Sequence, residues 1–181
     1  MRLFVAMELP EDIRRLMARV QDTLRGVIDA KWVQAEQMHL TLKFLGETTD
    51  EELPEVVEAL KGIRFEAVEL WTEGVVCFPP HGAIRIVAAE LGDGEGKCAR
   101  LTAEIDRACH EVGFKLEGRK WTPHVTVGRV KSRVAGSARA AASAIAVERR
   151  EFVVDEFALI ESRLDRSGPE HLKVAHFGGV E

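Results

Sequence analysis

The feature that most limits what this chain can fold into is an internal repeat. MHLTLKFLGETTDEELPEVVEAL, beginning at Met38, and PHVTVGRVKSRVAGSARAAASAI, beginning at Pro123, each give a strand bearing His-x-Thr, a short turn and then a helix. The two triplets, His39-Leu40-Thr41 and His124-Val125-Thr126, stand about half the chain length apart. Two similar lobes facing each other bring both to one cleft. No low-complexity linker separates the copies, so the lobes share an interface and residues 1–181 read as a single bilobal domain.

Around the repeat, hydrophobic periodicity predicts a buried strand over 2–9 and a helix from Glu11 to about Gly26, with Ile13, Leu16, Met17, Val20 and Leu24 on one face. Strands follow near 31–34 and 38–45. Thr49 and Glu52 have capping-box spacing ahead of a second helix, whose first turn contains Pro54. Residues 65–90 read as three strands, broken at Thr72–Gly74 and at Phe78–Gly82. LGDGEGK then leads into a helix that closes at Gly113. A strand over 120–130, an Ala-rich helix over 136–147, and strands near 149–164 and 172–178 complete the chain, with a turn at 165–169. This order lacks the regular alternation of a doubly wound sheet, so the expected class is α+β.

The 181 residues, 46% of them hydrophobic, suffice for one substantial core. Glu8 interrupts the opening apolar run too early for a secretory signal, and no apolar run reaches the roughly 18 residues of a membrane helix. A soluble cytoplasmic protein without membrane contact is expected. Cys77, Cys98 and Cys109 are odd in number and form no C-x-x-C pair, which points to free thiols rather than disulfides or zinc. Net charge is −5, but from Lys115 to Arg139 there are seven bases against Glu117 alone. A basic stretch around one of the triplets suits an anionic ligand.

Strand alternation puts Met38, Leu40, Leu42 and Phe44 on one face and His39, Thr41 and Lys43 on the other. In the second copy Trp121, Val125 and Val127 oppose Thr122, His124 and Thr126. A lone histidine on such a face is usually structural, whereas two in the same phase with the same threonine point to chemistry. Two imidazoles across a cleft can take a proton from an attacking oxygen and give one to a leaving oxygen. The threonine hydroxyls can donate to non-bridging phosphate oxygens. No carboxylate or cysteine sits at ligand spacing beside either triplet, so neither a metal site nor a cofactor is expected. No G-x-S-x-G elbow is present.

The pair HLTL and HVTV resembles the two H-x-T-x motifs of the two-histidine (2H) phosphoesterase superfamily. MRLFVAMELP, KWVQAEQMHLTLKFLGE, TPHVTVGRVK and FALIESRLDRSGPEHL are similar to the LigT-like RNA 2′,3′-cyclic phosphodiesterases, also called 2′-5′ RNA ligases. That resemblance implies a bilobal fold of two pseudo-symmetric antiparallel-sheet lobes with outer helices around a central cleft. It also implies metal-independent hydrolysis of RNA 2′,3′-cyclic phosphate ends to 2′-phosphomonoesters, and 2′-5′ ligation by the same site in reverse. RNA such as tRNA fragments, or small cyclic nucleotides, would be the substrates of a monomeric enzyme. His124 is assigned as base and His39 as acid, although nothing in either triplet orders their pKa values. The chain departs from the family pattern at Ala35, where proline is usual, and at His171, where tyrosine is usual; His171 can replace that ring by stacking.

Arg129 is expected to clamp phosphate on the strength of the GRVK segment. Strict alternation puts it on the Val125/Val127 face, so it needs a bulge to reach the cleft. Lys43 has the phase of Thr41 and is a candidate substrate contact. Phe44 reads as core before it reads as a base-stacking platform. Lys131 and Arg133 can attract an RNA backbone. His81, His110 and His176 lack the threonine partner and read as structural or exposed. The competing functional reading is a nucleotide- or RNA-binding module of the same fold without turnover.

Overall fold

A computed structural model describes residues 1–179. The elements, in chain order, are β1 (Arg2–Glu8), α1 (Glu11–Leu24), β2 (Ala30–Trp32), β3 (His39–Glu47), α2 (Glu52–Lys61), β4 (Val68–Phe78), β5 (Ile86–Asp93), α3 (Lys97–Glu111), β6 (His124–Val130), α4 (Ala138–Ser143), β7 (Glu151–Val154), β8 (Glu156–Asp165) and β9 (Gly168–Gly178). They build two antiparallel sheets, one ordered β3-β1-β8-β9 and the other β2-β6-β5-β4-β7. The fold is α+β, as expected, and its two His-x-Thr strands lie in different sheets.

The helices form where the apolar spacing puts them. α1 buries Ile13, Leu16, Met17, Val20 and Leu24. α2 is preceded by the expected capping box: Thr49 N–H donates to Glu52 Oε2 (2.8 Å) and Glu52 N–H donates to Thr49 Oγ1 (3.2 Å). Pro54 is harmless there, because the first turn of a helix needs no N–H donor from it. One apolar cluster joins both sheets, from Leu3, Val5 and Met7 of β1 to Leu40, Val87, Val125 and Val127. Cross-packing strengthens the joint. α1 lies against β6 of the far sheet and α3 against β3 of the other, while β3 and β6 face each other.

Four sequence expectations are corrected. The break at Thr72–Gly74 is a bulge within a continuous β4, with the ladder resuming at Gly74↔Glu90; Thr72 is buried and bonded to Glu148 O and Arg150 N, which holds the strand through the irregularity. The Ala-rich helix is reduced to Ala138–Ser143. The strand expected from residue 120 begins only at His124. The apolar run at 149–164 is two strands, since the chain leaves the second sheet after Val154 and enters the first at Glu156. No helix among the described residues is long and apolar enough to cross a membrane. All three cysteines are buried free thiols, and burial raises the pKa of each.

Candidate active site

The pseudo-symmetry of the two halves extends to the strands that flank the triplets. In the first sheet Glu8 of β1 is opposite His39 and Ala6 is opposite Thr41. In the second, Glu90 of β5 is opposite His124 and Ala88 is opposite Thr126. The segments FVAME and IVAAE are therefore a second, shorter repeat, which the sequence reading missed. An alanine beside each threonine keeps the sheet surface low, so the histidines and threonines stand above it.

Both imidazoles are held in the same way. His39 Nδ1 lies 2.7 Å from Gln37 O, and His124 Nδ1 lies 2.7 Å from Thr122 O. A carbonyl can only accept, so each Nδ1 carries a proton and Nε2 is the ring nitrogen left for proton transfer. An aromatic ring backs each histidine: Phe4 at 4.8 Å from His39 and Phe78 at 4.6 Å from His124. Neither phenylalanine was identified from sequence, since an apolar residue on a strand looks like any other core position. His171 of β9 lies beside these rings, edge-on to His39 at 5.2 Å and to Phe4 at 5.1 Å.

Each motif strand carries a bulge immediately after its threonine. Opposite Val87 and Ala88 of β5, β6 runs Gly128 then Thr126, with Val127 as the extra residue. Opposite Val5 and Ala6 of β1, β3 runs Lys43 then Thr41, with Leu42 extra. Beyond each bulge the face alternation is inverted. Val127 and Gly128 are both buried and Arg129 is exposed, so the arginine is turned to the polar face by the bulge it required. Its charge acts on His39 in the other sheet. A Cβ on Gly128 would come within 2.9 Å of the Trp32 ring and 3.1 Å of Val87, so only glycine lets Trp32 pack over the bulged strand.

The same inversion corrects two assignments in the first copy. Lys43 is not in the cleft: it is 6% exposed, and its ammonium is bound to the Asp106 carboxylate and to Lys115 O (2.9 Å). Phe44 is not core: it is 69% exposed, with its ring 6.2 Å from Phe4. Phe44 thus occupies in β3 the place that Arg129 occupies in β6. Lys131 and Arg133 are exposed beyond the end of β6. Neither has an ion-pair partner among the described residues.

Desolvation by burial lowers the His39 pKa to about 4, with the charges of His171 and Arg129 adding to the effect and the Gln37 carbonyl opposing it. His39 is therefore neutral at neutral pH in the free protein. Its folded pKa lies below the unfolded value of 6.5, so between those two values the unfolded chain binds more protons. The stability contributed by neutral His39 is complete above about pH 6.5 and is lost as pH falls toward 4, by roughly 3 kcal/mol in all. Urea unfolding at pH 7 and pH 4.5 should show this loss in the wild type and a much smaller one in His39→Gln.

Comparison with known proteins agrees with this geometry. A family model described as the 2′-5′ RNA ligase superfamily matches residues 4–166. The chain is 33% identical over 169 residues to an Archaeoglobus fulgidus protein named RNA 2′,3′-cyclic phosphodiesterase, spanning 93% of this chain and 95% of that protein. It is 31% identical over 185 residues to a Thermus thermophilus protein of the same name, spanning 98% and 89%. The crystal structure of TT0787 of Thermus thermophilus superposes with a TM-score of 0.81 at 30% identity, over 98% of this chain and 97% of that one. Escherichia coli LigT complexed with 3′-AMP shares the fold with a TM-score of 0.82, at 21% identity over 99% and 98%.

Proposed function

Because the chain belongs to the 2′-5′ RNA ligase superfamily, we propose that it is an RNA 2′,3′-cyclic phosphodiesterase that converts 2′,3′-cyclic phosphate ends to 2′-phosphomonoesters. The observation that carries the reading is the matched pair of imidazoles, each with Nδ1–H tied to a carbonyl and Nε2 free. In this reading His124 Nε2 takes a proton from water as its oxygen attacks phosphorus. The P–O3′ bond breaks, and His39, protonated at Nε2 once the anionic phosphodiester is bound, donates to the departing 3′ oxygen. Thr41, Thr126 and Arg129 hold the non-bridging oxygens as their charge grows. Phe44 and His171, with Phe4 between them, offer the apolar shelf for the terminal nucleotide, and Lys131 attracts the RNA backbone.

With a 5′-hydroxyl in place of water, the same proton transfers join a cyclic phosphate end through a 2′-5′ linkage: the 5′ oxygen attacks phosphorus as His124 takes its proton, and the P–O3′ bond breaks as His39 protonates the 3′ oxygen. We take the enzyme to be a cytoplasmic monomer. The test is hydrolysis of an oligonucleotide 2′,3′-cyclic phosphate in the presence of EDTA, with the product ends resolved. A 2′-phosphate formed at an undiminished rate is expected. Loss of activity on chelation, or a 3′-phosphate product, would overturn the mechanism. Tight nucleotide binding with no hydrolysis would favour a binding module instead.

A further inference from the structure

At each of the two bulges a side chain from the other half of the chain donates to a backbone carbonyl. The Gln21 amide of α1, buried at 6% exposure, donates one N–H to Val127 O (2.8 Å), at the extra residue of β6, and the other to Val33 O (2.6 Å). Val33 N–H also donates to Val127 O (3.0 Å), where β2 parts from β6. Across the cleft, Trp121 Nε1–H donates to Thr41 O (3.1 Å), next to the extra residue of β3. We propose that Gln21 is a positioning residue for Arg129, and that Trp121 does the same for Thr41.

The reason is that a bulge competes with the regular register, and a shift of one residue reverses every side chain beyond it. In regular register Arg129 would return to the face of Val125 and Val127, away from the phosphate. The buried Gln21 amide has both its hydrogens engaged only while β6 is bulged at Val127. Losing that register would strand a buried donor, a penalty that the exposed guanidinium of Arg129 cannot supply for itself. Gln21 touches none of the proposed reacting groups and acts through the strand.

The inference rests on the phosphodiesterase reading for one of its two measurements. Turnover of a cyclic phosphate oligonucleotide and calorimetric binding of inorganic phosphate are measured for wild type, Gln21→Met, Arg129→Ala and the double variant. Q21M keeps the volume and removes both hydrogens. It should lower kcat/KM roughly tenfold or more with the circular dichroism spectrum unchanged. Arg129→Ala should cost at least about tenfold in the wild type but less than about threefold in Q21M, because the arginine is already misplaced there. Equal Arg129→Ala losses in both backgrounds, or Q21M within about threefold of wild type, would overturn the proposal. A wild type without turnover would count against the phosphodiesterase reading alone, and the phosphate affinities would then report the same cycle. Should Q21M not fold, Trp121→Phe keeps an aromatic ring and removes one N–H. Its cycle with Thr41→Ala must show the same coupling, and strictly multiplicative losses there overturn the proposal.

Discussion

His39→Ala and His124→Ala should each lower cyclic phosphodiesterase turnover by at least about two orders of magnitude, the usual contribution of a positioned general acid or base. Neither substitution should weaken binding of a nonhydrolysable phosphate in proportion, since Thr41, Thr126 and Arg129 remain. The double variant should be little worse than either single one, because acid and base act in one concerted proton inventory. The two variants should differ in stability. His39 packs against both Phe4 and His171, and His124 against Phe78, so His39→Ala should lose more packing than His124→Ala. Rates measured with saturating substrate, alongside urea midpoints, separate the chemistry from the packing. Retained turnover in either variant would sink the two-imidazole mechanism.

Lys43→Met should destabilise the fold by roughly 3–5 kcal/mol while leaving the chemistry of the residual folded protein close to wild type. The Lys43 ammonium lies inside, bound to Asp106 and to Lys115 O, and the Asp106 carboxylate also accepts the Glu117 N–H (3.1 Å). Removing the cation leaves a largely buried carboxylate without its partner, which is costlier than having no pair at all. The double change Lys43→Met with Asp106→Leu should therefore recover a large part of the loss. Urea denaturation of the wild type, Lys43→Met, Asp106→Leu and the double variant measures both effects. A stability change below about 1 kcal/mol would show Lys43 to be solvated instead.

The sequence carried the triplets, their phase and the placing of each in its own sheet, because strand alternation is local and holds from His39 to Thr41 and from His124 to Thr126. It failed at Lys43 and Phe44, two and three residues further on. The bulge at Leu42 is set by pairing with β1, and no local pattern announces it. Arg129 escaped the same error only because its expected role demanded a bulge. The run EFVVDEFALI looks like one strand, since both pieces are apolar and only their distant partners differ. Phe4 and Phe78 were invisible for a related reason: which face of a strand meets a cleft is decided by the other sheet.

The hand-over from β7 to β8 at Asp155 also bears on how the protein is made. β1 precedes every other strand of its sheet in the chain, yet its inner neighbour β8 pairs with it only through Ala158 to Glu161. Until those residues are synthesised β1 has β3 alone. The His39 half of the cleft then lacks the strand beside Phe4, and the His171 ring that packs on both is still to come. A nascent or prematurely terminated chain therefore holds both His-x-Thr triplets without an assembled site. The His39 half of the site is therefore completed by strands that follow both triplets in the chain.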